Sequence, residues 1–573
     1  GMGLFEEISS QSEVYQKMTG VFEEFYGRKV ETVLPKTIML PMRDGVKMYT
    51  TYWELHKNTS TVIMRSPYGP TGTENIVYLY ITAGFNVVMQ NQRGTGKSEG
   101  DWAYWQKVAE DGQDTMDWIA SQPWSNKVIY QAGASADGVL SYLDLKLPQK
   151  YLHGQWLIFS NSLMYYTVFQ GGTAYRQELV QHWLSHMHHY RPNASSYSAF
   201  VESQEGYNNP MWAKAMLTNL SNVNFPATHL AGWNDIFLQP MLASFEDYDT
   251  KSSEGARGKQ SLIVGPRGHC FFFVEPKVTF PDDTLDFIWS YEDSLTIFES
   301  ELLSTSAARD VLAAANKKLD RLTLYIMGPQ KHADVDDTKT KTGMYWTTLP
   351  DWPKPTPTPL YLTSNGTLET QPSHAVDQDI IKFTFDPQHP VPTSGGNNLF
   401  LSCGPMDQRS TENRSDVVLF TSAPFSNDTA IVGRVVVHLN VSSNATDTDF
   451  TVKLTDVYPD GSSRLIGDQM LRMRWRINDT TPVHMQPGTF YEIDVEMWET
   501  AYIVSKGHAL RLAVSSSNYP RFSANRNNGG LIKDGGPYIT AENVLSVGGS
   551  AAVVLPVVTA DQIPANVHVL DSM

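Results

Sequence analysis

Short apolar runs alternate with amphipathic segments along the first half of this 573-residue chain. The runs TVIMRSPYG, FNVVMQNQRG, KVIYQAGAS, HLAGWND and SLIVGPRGH each end in a polar or glycine-containing loop. Between several of them lie stretches with helical spacing, such as EDGQDTMDWIASQ. Continuous apolar strands separated by helices are typical of a parallel sheet whose two faces are covered. We therefore expect an α/β fold in this half.

Two changes in sequence texture suggest further domains. Residues 146–224 are rich in Tyr, His and Trp with helical spacing and show no convincing strand, which predicts a helical cap inserted into the α/β core. After the proline-rich LPDWPKPTPTPLYL, short alternating runs separated by turn signals predict a β jelly roll. The expected organisation is an α/β core at 1–145 and 225–345, the cap at 146–224 and a jelly-roll domain at 346–573.

Charge and motifs bound the partners of the chain. Its 44 Lys and Arg against 61 Asp and Glu give a net charge of −17, which argues against a nucleic-acid or anionic-membrane partner. An 18-residue apolar run is absent, so no transmembrane helix is expected, and the opening GMGLFEEISS lacks a signal-peptide pattern. The cellular location stays open between secretion and the cytoplasm, because the chain contains recurring Asn-x-Ser/Thr glycosylation sequons. They lie at Asn58, Asn193, Asn219, Asn365, Asn413, Asn427, Asn440, Asn444 and Asn478.

No metal or cofactor is expected. The two cysteines, Cys270 and Cys403, are too few for a disulfide framework and nearly exclude a cysteine zinc site. Cys270 follows a histidine directly, but adjacency does not aim its sulfur at the ring, so a buried structural thiol is expected. His182 and His186 lie one helical turn apart, a spacing that suits zinc, but no third ligand is evident and we expect them to line the cap.

Ser135 follows the strand-like KVIYQAG in a setting that suits a nucleophile. Gly133 precedes it by two positions, and the small Ala134 and Ala136 flank it. A sharp strand-to-helix turn needs small neighbours because the nucleophile's backbone is strained and closely packed. The usual G-x-S-x-G pattern is not met, since the second glycine comes one place late, at Gly138. GASADG alone therefore also fits an ordinary small-residue turn.

Asp235 and His269 are the candidate partners of this serine. A serine hydroxyl needs a base to remove its proton and a third group to orient that base. Asp235 follows the strand-like ATHLAG and His269 follows SLIVG. The chain order serine, acid, histidine is also that of α/β hydrolases, in which the nucleophile lies at a sharp strand-to-helix turn. Taken singly, Asp235 also fits a helix cap and His269 a loop histidine. The three in the required order favour a catalytic triad.

Two groups are candidates for an oxyanion hole, which needs donors aimed at the developing negative charge. The backbone N–H of Ala136, directly after the nucleophile, is one. The other should come from a loop after an early strand, where RSPYG places Tyr68. A packing role is the alternative for this tyrosine.

These motifs together resemble the CocE/NonD group of serine hydrolases, relatives of X-Pro dipeptidyl peptidases and α-amino-acid ester hydrolases. In the first half the resemblance rests on RSPYG, NQRGTGKSEGDW, GASADG, GWND and GPRGH. In the second half it rests on DPQHPVPTSGG, GPMDQR, DTDFTVKLTDVYPDGSSRLI, RMRWR and SSNYPRF. It spans nearly the whole chain from about residue 30.

The resemblance implies an α/β-hydrolase domain with an inserted helical cap and a C-terminal jelly roll. Carried over position by position, it makes Ser135 the nucleophile, Asp235 the orienting acid and His269 the general base, with Tyr68 and the N–H of Ala136 as oxyanion donors. The family commonly has an aromatic residue directly after the serine. Ala136 keeps the backbone N–H but makes the neighbouring pocket wall smaller, which suggests a different substrate preference.

The expected activity is hydrolysis of a small-molecule carboxylic ester or amide through an acyl-enzyme, without a cofactor. An X-Pro-type peptidase or acylase with the same triad is the alternative, and a catalytically inactive hydrolase used as a binding module is a third. Glu246 and Asp247 are candidates for recognising a substrate amine, although their helical setting favours a solvated face. The sequence gives no oligomeric state.

Overall fold

The structure is a computed structural model that describes residues 2–69, 74–102, 105–191, 194, 197–274, 278–315, 318–330, 342–373 and 379–567. Within these ranges the helices are α1 (Met2–Gln11), α2 (Glu13–Tyr26), α3 (Tyr78–Ile81), α4 (Val108–Ser121), α5 (Ala136–Leu143), α6 (Met164–Val168), α7 (Gln177–Met187), α8 (Tyr197–Glu202), α9 (Pro210–Lys214), α10 (Leu238–Thr250), α11 (Cys270–Phe273), α12 (Leu285–Ile297), α13 (Ser306–Ala315) and α14 (Arg409–Glu412). None of the helices described is both long and apolar enough to cross a membrane.

The strands of the same ranges fall into a first and a second large sheet and one small hairpin. They are β1 (Lys36–Pro41), β2 (Lys47–Trp53), β3 (Thr59–Ser66), β4 (Asn86–Asn91), β5 (Ser125–Ala134), β6 (Leu152–Ile158), β7 (Phe169–Gln170), β8 (Ala174–Tyr175), β9 (Ala227–Gly232), β10 (Ser261–Gly265), β11 (Leu322–Ile326), β12 (Tyr345–Leu349), β13 (Thr356–Leu362), β14 (Thr367–Glu369), β15 (Asp379–Phe385), β16 (Val418–Ser422), β17 (Thr429–Ser443), β18 (Asp449–Val457), β19 (Ser463–Arg472), β20 (Tyr491–Val504), β21 (Ala509–Ser515), β22 (Ala541–Val547) and β23 (Ala552–Val558).

The first sheet forms the α/β core. Its strand order is β1-β2-β4-β3-β5-β6-β9-β10-β11-β12, and the strands from β4 to β11 along this order run parallel. The outer strands β1, β2 and β12 pair antiparallel. Because all parallel strands point the same way, the loops after β5, β9 and β10 meet at one edge of the sheet. This edge carries the candidate site.

The second sheet forms the predicted jelly roll. Its order is β15-β22-β17-β23-β13-β14-β16-β21-β18-β19, with β20 paired to β17, and the recorded pairs are antiparallel except β14 with β16. Along β20 the side chains of Ile493, Val495 and Met497 are buried and the residues between them are exposed. Strand β3 of the core is instead buried along its whole length, because both faces of a parallel sheet are covered. The fold-class prediction is confirmed.

Two details of the predicted domain ranges were wrong. The range 146–224 contains β6, which lies between β5 and β9 in the core sheet, so its first residues belong to the core. The run LHGQWLI does not stand out as a core strand because His153, Gly154 and Gln155 interrupt its apolar residues. The range from 346 onward begins inside β12, which completes the core sheet next to β11.

The helical part of the cap lies between the core and the jelly roll and is bound to the latter by buried polar contacts. Glu205 of the cap accepts hydrogen bonds from the guanidinium of Arg474 and from Nε1 of Trp475 (2.8 Å). The Tyr166 hydroxyl donates to Oδ2 of Asp479 at 3.0 Å. These contacts fix the cap against the C-terminal domain.

Cys270 does not carry the free buried thiol that the sequence predicts. Its sulfur is bonded to that of Cys403, 133 residues further along the chain, with the two Cα atoms 6.2 Å apart. The pairing joins the core to the jelly roll. Two isolated cysteines carry no spacing pattern that would reveal such a contact, because it depends on how the domains pack.

Candidate active site

Ser135 lies at a strained turn between β5 and α5. Its backbone has φ 58° and ψ −126°, a conformation that residues with a side chain rarely adopt and that is typical of a nucleophile elbow. The Ser135 N–H donates to the carbonyl of Ile158 at 2.9 Å. A Cβ at Gly133 would lie 2.7 Å from the Asp137 carbonyl oxygen, and one at Gly138 would lie 2.5 Å from Oγ of Ser160. The elbow therefore requires both glycines, including the one that comes a place late.

The three predicted triad residues come together in one hydrogen-bonded chain. Nε2 of His269 lies 2.7 Å from Oγ of Ser135, and Nδ1 lies 2.5 Å from Oδ1 of Asp235. Asp235 is 1% exposed and also accepts the backbone N–H groups of His269 and Phe237, both at 3.0 Å. With Nδ1–H donated to the carboxylate, Nε2 is free to accept the serine proton.

The loops that carry the acid and the base pack directly on each other. We call them the Asp235 loop (residues 233–237) and the His269 loop (residues 266–269). A Cβ at Gly232, the last residue of β9, would lie 2.0 Å from the Arg267 carbonyl oxygen, and one at Gly268 would lie 2.4 Å from that of Asn234. Both glycines are needed for this close approach. Asp235 does not cap α10, whose N-cap residue is Phe237; its second carboxylate oxygen accepts the backbone N–H of that residue within the loop.

Tyr68 and Ala136, the two predicted oxyanion donors, line the same cavity as Ser135. Ala136 is the first residue of α5, where N–H groups lack a helical acceptor. Nε1–H of Trp183 in the cap donates to the Tyr68 hydroxyl at 2.9 Å, so that the tyrosine's own proton is available for another acceptor. Burial raises the pKa of Tyr68, while hydrogen bonds with Trp183 and Ser135 act in the opposite direction. The phenol is thus a protonated donor beside the nucleophile.

The Ser135 hydroxyl opens into a cavity of about 590 Å³. Its walls are mainly aromatic and aliphatic and come from the core, the cap and the jelly roll. They include Trp105, Phe159, Met164, Leu179, Trp183, Leu184, Met211, Trp212, Phe237, Phe272, Phe273, Leu399 and Phe400. A cavity of this size and lining suits an apolar group of drug-like dimensions.

Asp137, two residues after the nucleophile, is the carboxyl group that lines this cavity. Among the described residues its Oδ1 has no hydrogen-bond partner. Burial raises the pKa of Asp137 to about 7, because a low-dielectric setting disfavours the charged form. Near neutral pH the group is therefore partly protonated.

The two cap histidines, His182 and His186, contact neighbouring side chains of the cap and the cavity wall. Nδ1 of His182 lies 3.3 Å from the Glu178 carboxylate, and the His186 ring packs edge-on against Tyr68 in the cavity wall. Burial lowers the pKa of His186. The described residues hold no cluster of three or more His, Cys, Asp or Glu side chains in metal-binding arrangement.

Glu246 and Asp247 lie on α10 and do not line the cavity. Glu246 accepts a hydrogen bond from Nε1 of Trp352 at 2.8 Å, and Asp247 pairs with Lys251 at 2.7 Å. Substrate-amine recognition by these two carboxylates is therefore not supported.

Four residues that line the site were not singled out for it from the sequence. Trp183 lies in the helical run of the cap, where an aromatic residue signals packing as readily as function. Leu399 and Phe400 come from the jelly roll, 130 and 131 residues after His269. Only Asp137 had a local signal, its place in GASADG next to the serine.

Comparisons with known proteins identify the families that this chain is similar to. The X-Pro dipeptidyl-peptidase (S15 family) model matches residues 44–271, and the X-Pro dipeptidyl-peptidase C-terminal non-catalytic domain model matches residues 317–552. Cocaine esterase of Rhodococcus sp. (strain MB1 Bresler) is 27% identical over 564 residues, covering 86% of this chain and 92% of that protein.

Solved structures share the whole architecture. An α-amino acid ester hydrolase has a TM-score of 0.75 at 20% identity, covering 92% of this chain and 96% of its own. A CocE/NonD family hydrolase from Staphylococcus aureus has a TM-score of 0.66 at 16% identity, covering 91% and 93%. At these identities the likeness shows the fold.

Proposed function

We propose that this chain, a serine hydrolase of the CocE/NonD type, hydrolyses a carboxylic ester through an acyl-enzyme on Ser135. The observation that carries the proposal is the continuous hydrogen-bonded chain from Ser135 through His269 to the buried Asp235. It is the arrangement that activates a serine hydroxyl.

In the acylation step, Nε2 of His269 takes the hydroxyl proton as Oγ of Ser135 attacks the substrate carbonyl carbon. The imidazolium forms against the Asp235 carboxylate, which holds the ring in orientation. The oxyanion is stabilised by the Tyr68 hydroxyl and the Ala136 N–H, each such donor being worth roughly 3 kcal/mol. The C–O bond to the leaving group then breaks, and the alcohol departs with the proton from Nε2.

Deacylation repeats these steps with water as the nucleophile. His269 removes a proton from the water, the hydroxide oxygen attacks the ester carbonyl of the acyl-enzyme, and the Ser135 oxygen leaves with the proton from Nε2. The products are a carboxylic acid and an alcohol. Every group needed for this cycle is a side chain or backbone group already described.

Ester hydrolysis ranks ahead of peptide hydrolysis because of the cavity. An enzyme that reads a peptide N-terminus needs charged or polar groups for the ammonium and amide groups. The cavity walls are instead mainly apolar, and the carboxyl lining them, Asp137, has its pKa raised to about 7. An X-Pro peptidase or acylase activity stays as the alternative, because both matching family models are described as X-Pro dipeptidyl-peptidase domains and an acylase would use the same triad.

Covalent labelling tests the nucleophile. A fluorophosphonate is expected to modify wild-type protein at Ser135, as located by peptide mass spectrometry, and not to modify Ser135→Ala. Ser141→Ala is a matched control, because Ser141 lies on α5 with its hydroxyl donated to a backbone carbonyl. Modification at another residue, or an active protein that resists labelling, would contradict the proposal.

A substrate panel tests the ester preference. Aryl and alkyl esters with small and large acyl groups are compared with the matched amides and with X-Pro dipeptide anilides. The proposal predicts that kcat/KM is higher for the ester of each pair and rises with the apolar size of the acyl group. If only X-Pro anilides or N-acyl amides are cleaved, the peptidase or acylase assignment replaces it.

A further inference from the structure

One short segment of the jelly roll contacts both loops that carry the acid and the base. This segment, residues 395–404, runs between the Asp235 loop, the His269 loop and the cap. We propose that it is a positioning element for the reaction, acting through Asn397 on the Asp235 loop and through the Cys270–Cys403 bond on the His269 loop. The inference rests on the proposed function, since positioning matters only where Asp235 and His269 act on Ser135.

Asn397 holds the backbone of the Asp235 loop. Its Nδ2 donates to the carbonyl oxygen of Asp235 at 2.7 Å and to that of Trp233 at 3.0 Å. One amide group thus spans the two sides of the turn that presents the carboxylate to His269. Movement of this turn would lengthen the 2.5 Å contact between Oδ1 and Nδ1.

The disulfide holds the end of the His269 loop. Cys270 directly follows the base and begins α11, and its bond to Cys403 attaches that point covalently to the segment. Both cysteines are buried, at 3% and 7% exposure. A bond one residue away from His269 limits how far the imidazole can move from Oγ of Ser135, 2.7 Å away.

The segment is itself held by buried charged groups. Nη1 of Arg176, a cap residue that is 1% exposed, donates to the Ile236 carbonyl at 2.5 Å, and Nη2 donates to that of Asn397 at 2.6 Å. Nη1 of Arg521 donates to the same Asn397 carbonyl at 2.6 Å. The guanidinium of Arg176 therefore bridges the Asp235 loop and the segment.

Further contacts fix the shape of the segment. The Glu178 carboxylate accepts the backbone N–H groups of Leu399 and Phe400, at 3.3 and 2.7 Å. Nδ2 of Asn398 closes the turn internally on the carbonyls of Gly395 (2.9 Å) and Ser402 (2.8 Å). The segment is thus rigid enough to transmit a fixed geometry to both loops.

The first test removes the Asn397 amide. In Asn397→Ala we expect kcat to fall about tenfold, because small misplacements of a catalytic group are amplified in the rate, while KM stays within about twofold. The rate of fluorophosphonate labelling should fall in parallel. The matched control is Tyr458→Phe, which removes another contact from the jelly roll to the core, the hydrogen bond from Gln330 N (2.6 Å) to the Tyr458 hydroxyl. It should lower Tm as much as Asn397→Ala and leave kcat unchanged.

The second test opens the disulfide. A dithiol such as dithiothreitol converts the Cys270–Cys403 bond into two thiols and is itself oxidised to a cyclic disulfide. We expect kcat to fall several-fold on reduction and to return on reoxidation. The Cys270→Ser, Cys403→Ser double variant should have the kcat of the reduced wild type and be insensitive to the dithiol. Denatured protein that has not been reduced should contain no free thiol.

The outcomes separate this inference from the proposed function. If wild-type protein is not labelled at Ser135, the proposed function fails. If wild type is labelled at Ser135 but Asn397→Ala and reduced protein keep wild-type kcat and labelling rates, the positioning role is wrong. It is also wrong if Tyr458→Phe loses as much kcat as Asn397→Ala at equal loss of Tm, because the effect would then be one of general stability.

Discussion

The two sides of the proposed triad are built differently. The nucleophile side, comprising Ser135 and Ala136, is set by neighbouring residues of the core: the strained turn, the end of β5 and the start of α5. The base side, comprising Asp235 and His269, lies on two loops that are packed on each other and tied to residues 395–404 of the jelly roll. Local sequence therefore governs the first, and packing between domains governs the second.

This difference assigns a role to the C-terminal domain beyond covering the core. It supplies Leu399 and Phe400 to the cavity wall, and through Asn397 it contacts the loop that carries the acid. Without the jelly roll, the core would lose these contacts.

Asp235→Asn, on the base side, should lower kcat more than any of the other variants proposed for the two sides of the triad. Without the carboxylate the imidazole loses the group that orients it and offsets its charge, and kcat is expected to fall by about 10,000-fold. Steady-state kinetics with an activated ester measure the loss. Asp247→Asn is the control, because the Asp247 carboxylate lies in the same chain region and pairs with Lys251. The kcat of this variant should stay within twofold of the wild-type value. A loss below tenfold in Asp235→Asn would remove Asp235 from the triad.

Tyr68→Phe breaks the oxyanion site beside the nucleophile. Loss of one preorganised donor should lower kcat by about 100- to 1,000-fold with little change in KM, because the donor acts mainly on the charge that develops in the transition state. Tyr190→Phe is the comparison, since that ring contacts Tyr68 edge-on in the same cavity wall and should change kcat only slightly. Equal effects of the two variants would contradict the assignment of Tyr68.

Gly138→Ala tests the local construction of the elbow. The added Cβ would lie 2.5 Å from Oγ and 2.6 Å from Cβ of Ser160, so the turn must shift, at a cost of about 1–3 kcal/mol in folding free energy. We expect a lower Tm and a lower kcat. Gly20→Ala is the matched control, because Gly20 is exposed on α2 and an added Cβ there would have no atom within 4 Å. This substitution should leave Tm unchanged or raise it. An unchanged Tm in Gly138→Ala would show that the elbow tolerates a side chain there.

Asp137→Asn should have the smallest effect, seen in the pH dependence of stability. Because burial raises the pKa of Asp137 to about 7, the folded protein holds this proton between about pH 4 and pH 7 while the unfolded chain releases it, and stability falls as pH rises through that window. Asparagine cannot ionise. The Tm of the variant relative to wild type should therefore increase from pH 5 to pH 8, by the equivalent of about 1–3 kcal/mol. Asp117→Asn, an exposed carboxyl on α4, is the control, and parallel Tm curves for all three proteins would contradict the prediction.

The parts that the sequence predicts well depend on nearby residues. The core strands, α7 of the cap and the alternating strands of the jelly roll follow from local patterns of apolar residues, and the order of Ser135, Asp235 and His269 follows from the strand ends. β6 was missed because His153, Gly154 and Gln155 interrupt the continuous apolar run that marks the other core strands. The Cys270–Cys403 bond and the role of residues 395–404 were not predictable, because they depend on how the jelly roll packs on the core.

If Ser135 carries the acyl group during turnover, the acyl-enzyme can be trapped. The enzyme is mixed with an ester of a bulky aromatic acid, quenched in acid during the first turnovers, and examined by intact-protein and peptide mass spectrometry. We expect the protein mass to increase by one acyl group, located on the peptide that contains Ser135, and we expect no such increase in Ser135→Ala. An acyl group on another residue, or active enzyme that never carries one while product forms in a burst, would contradict it.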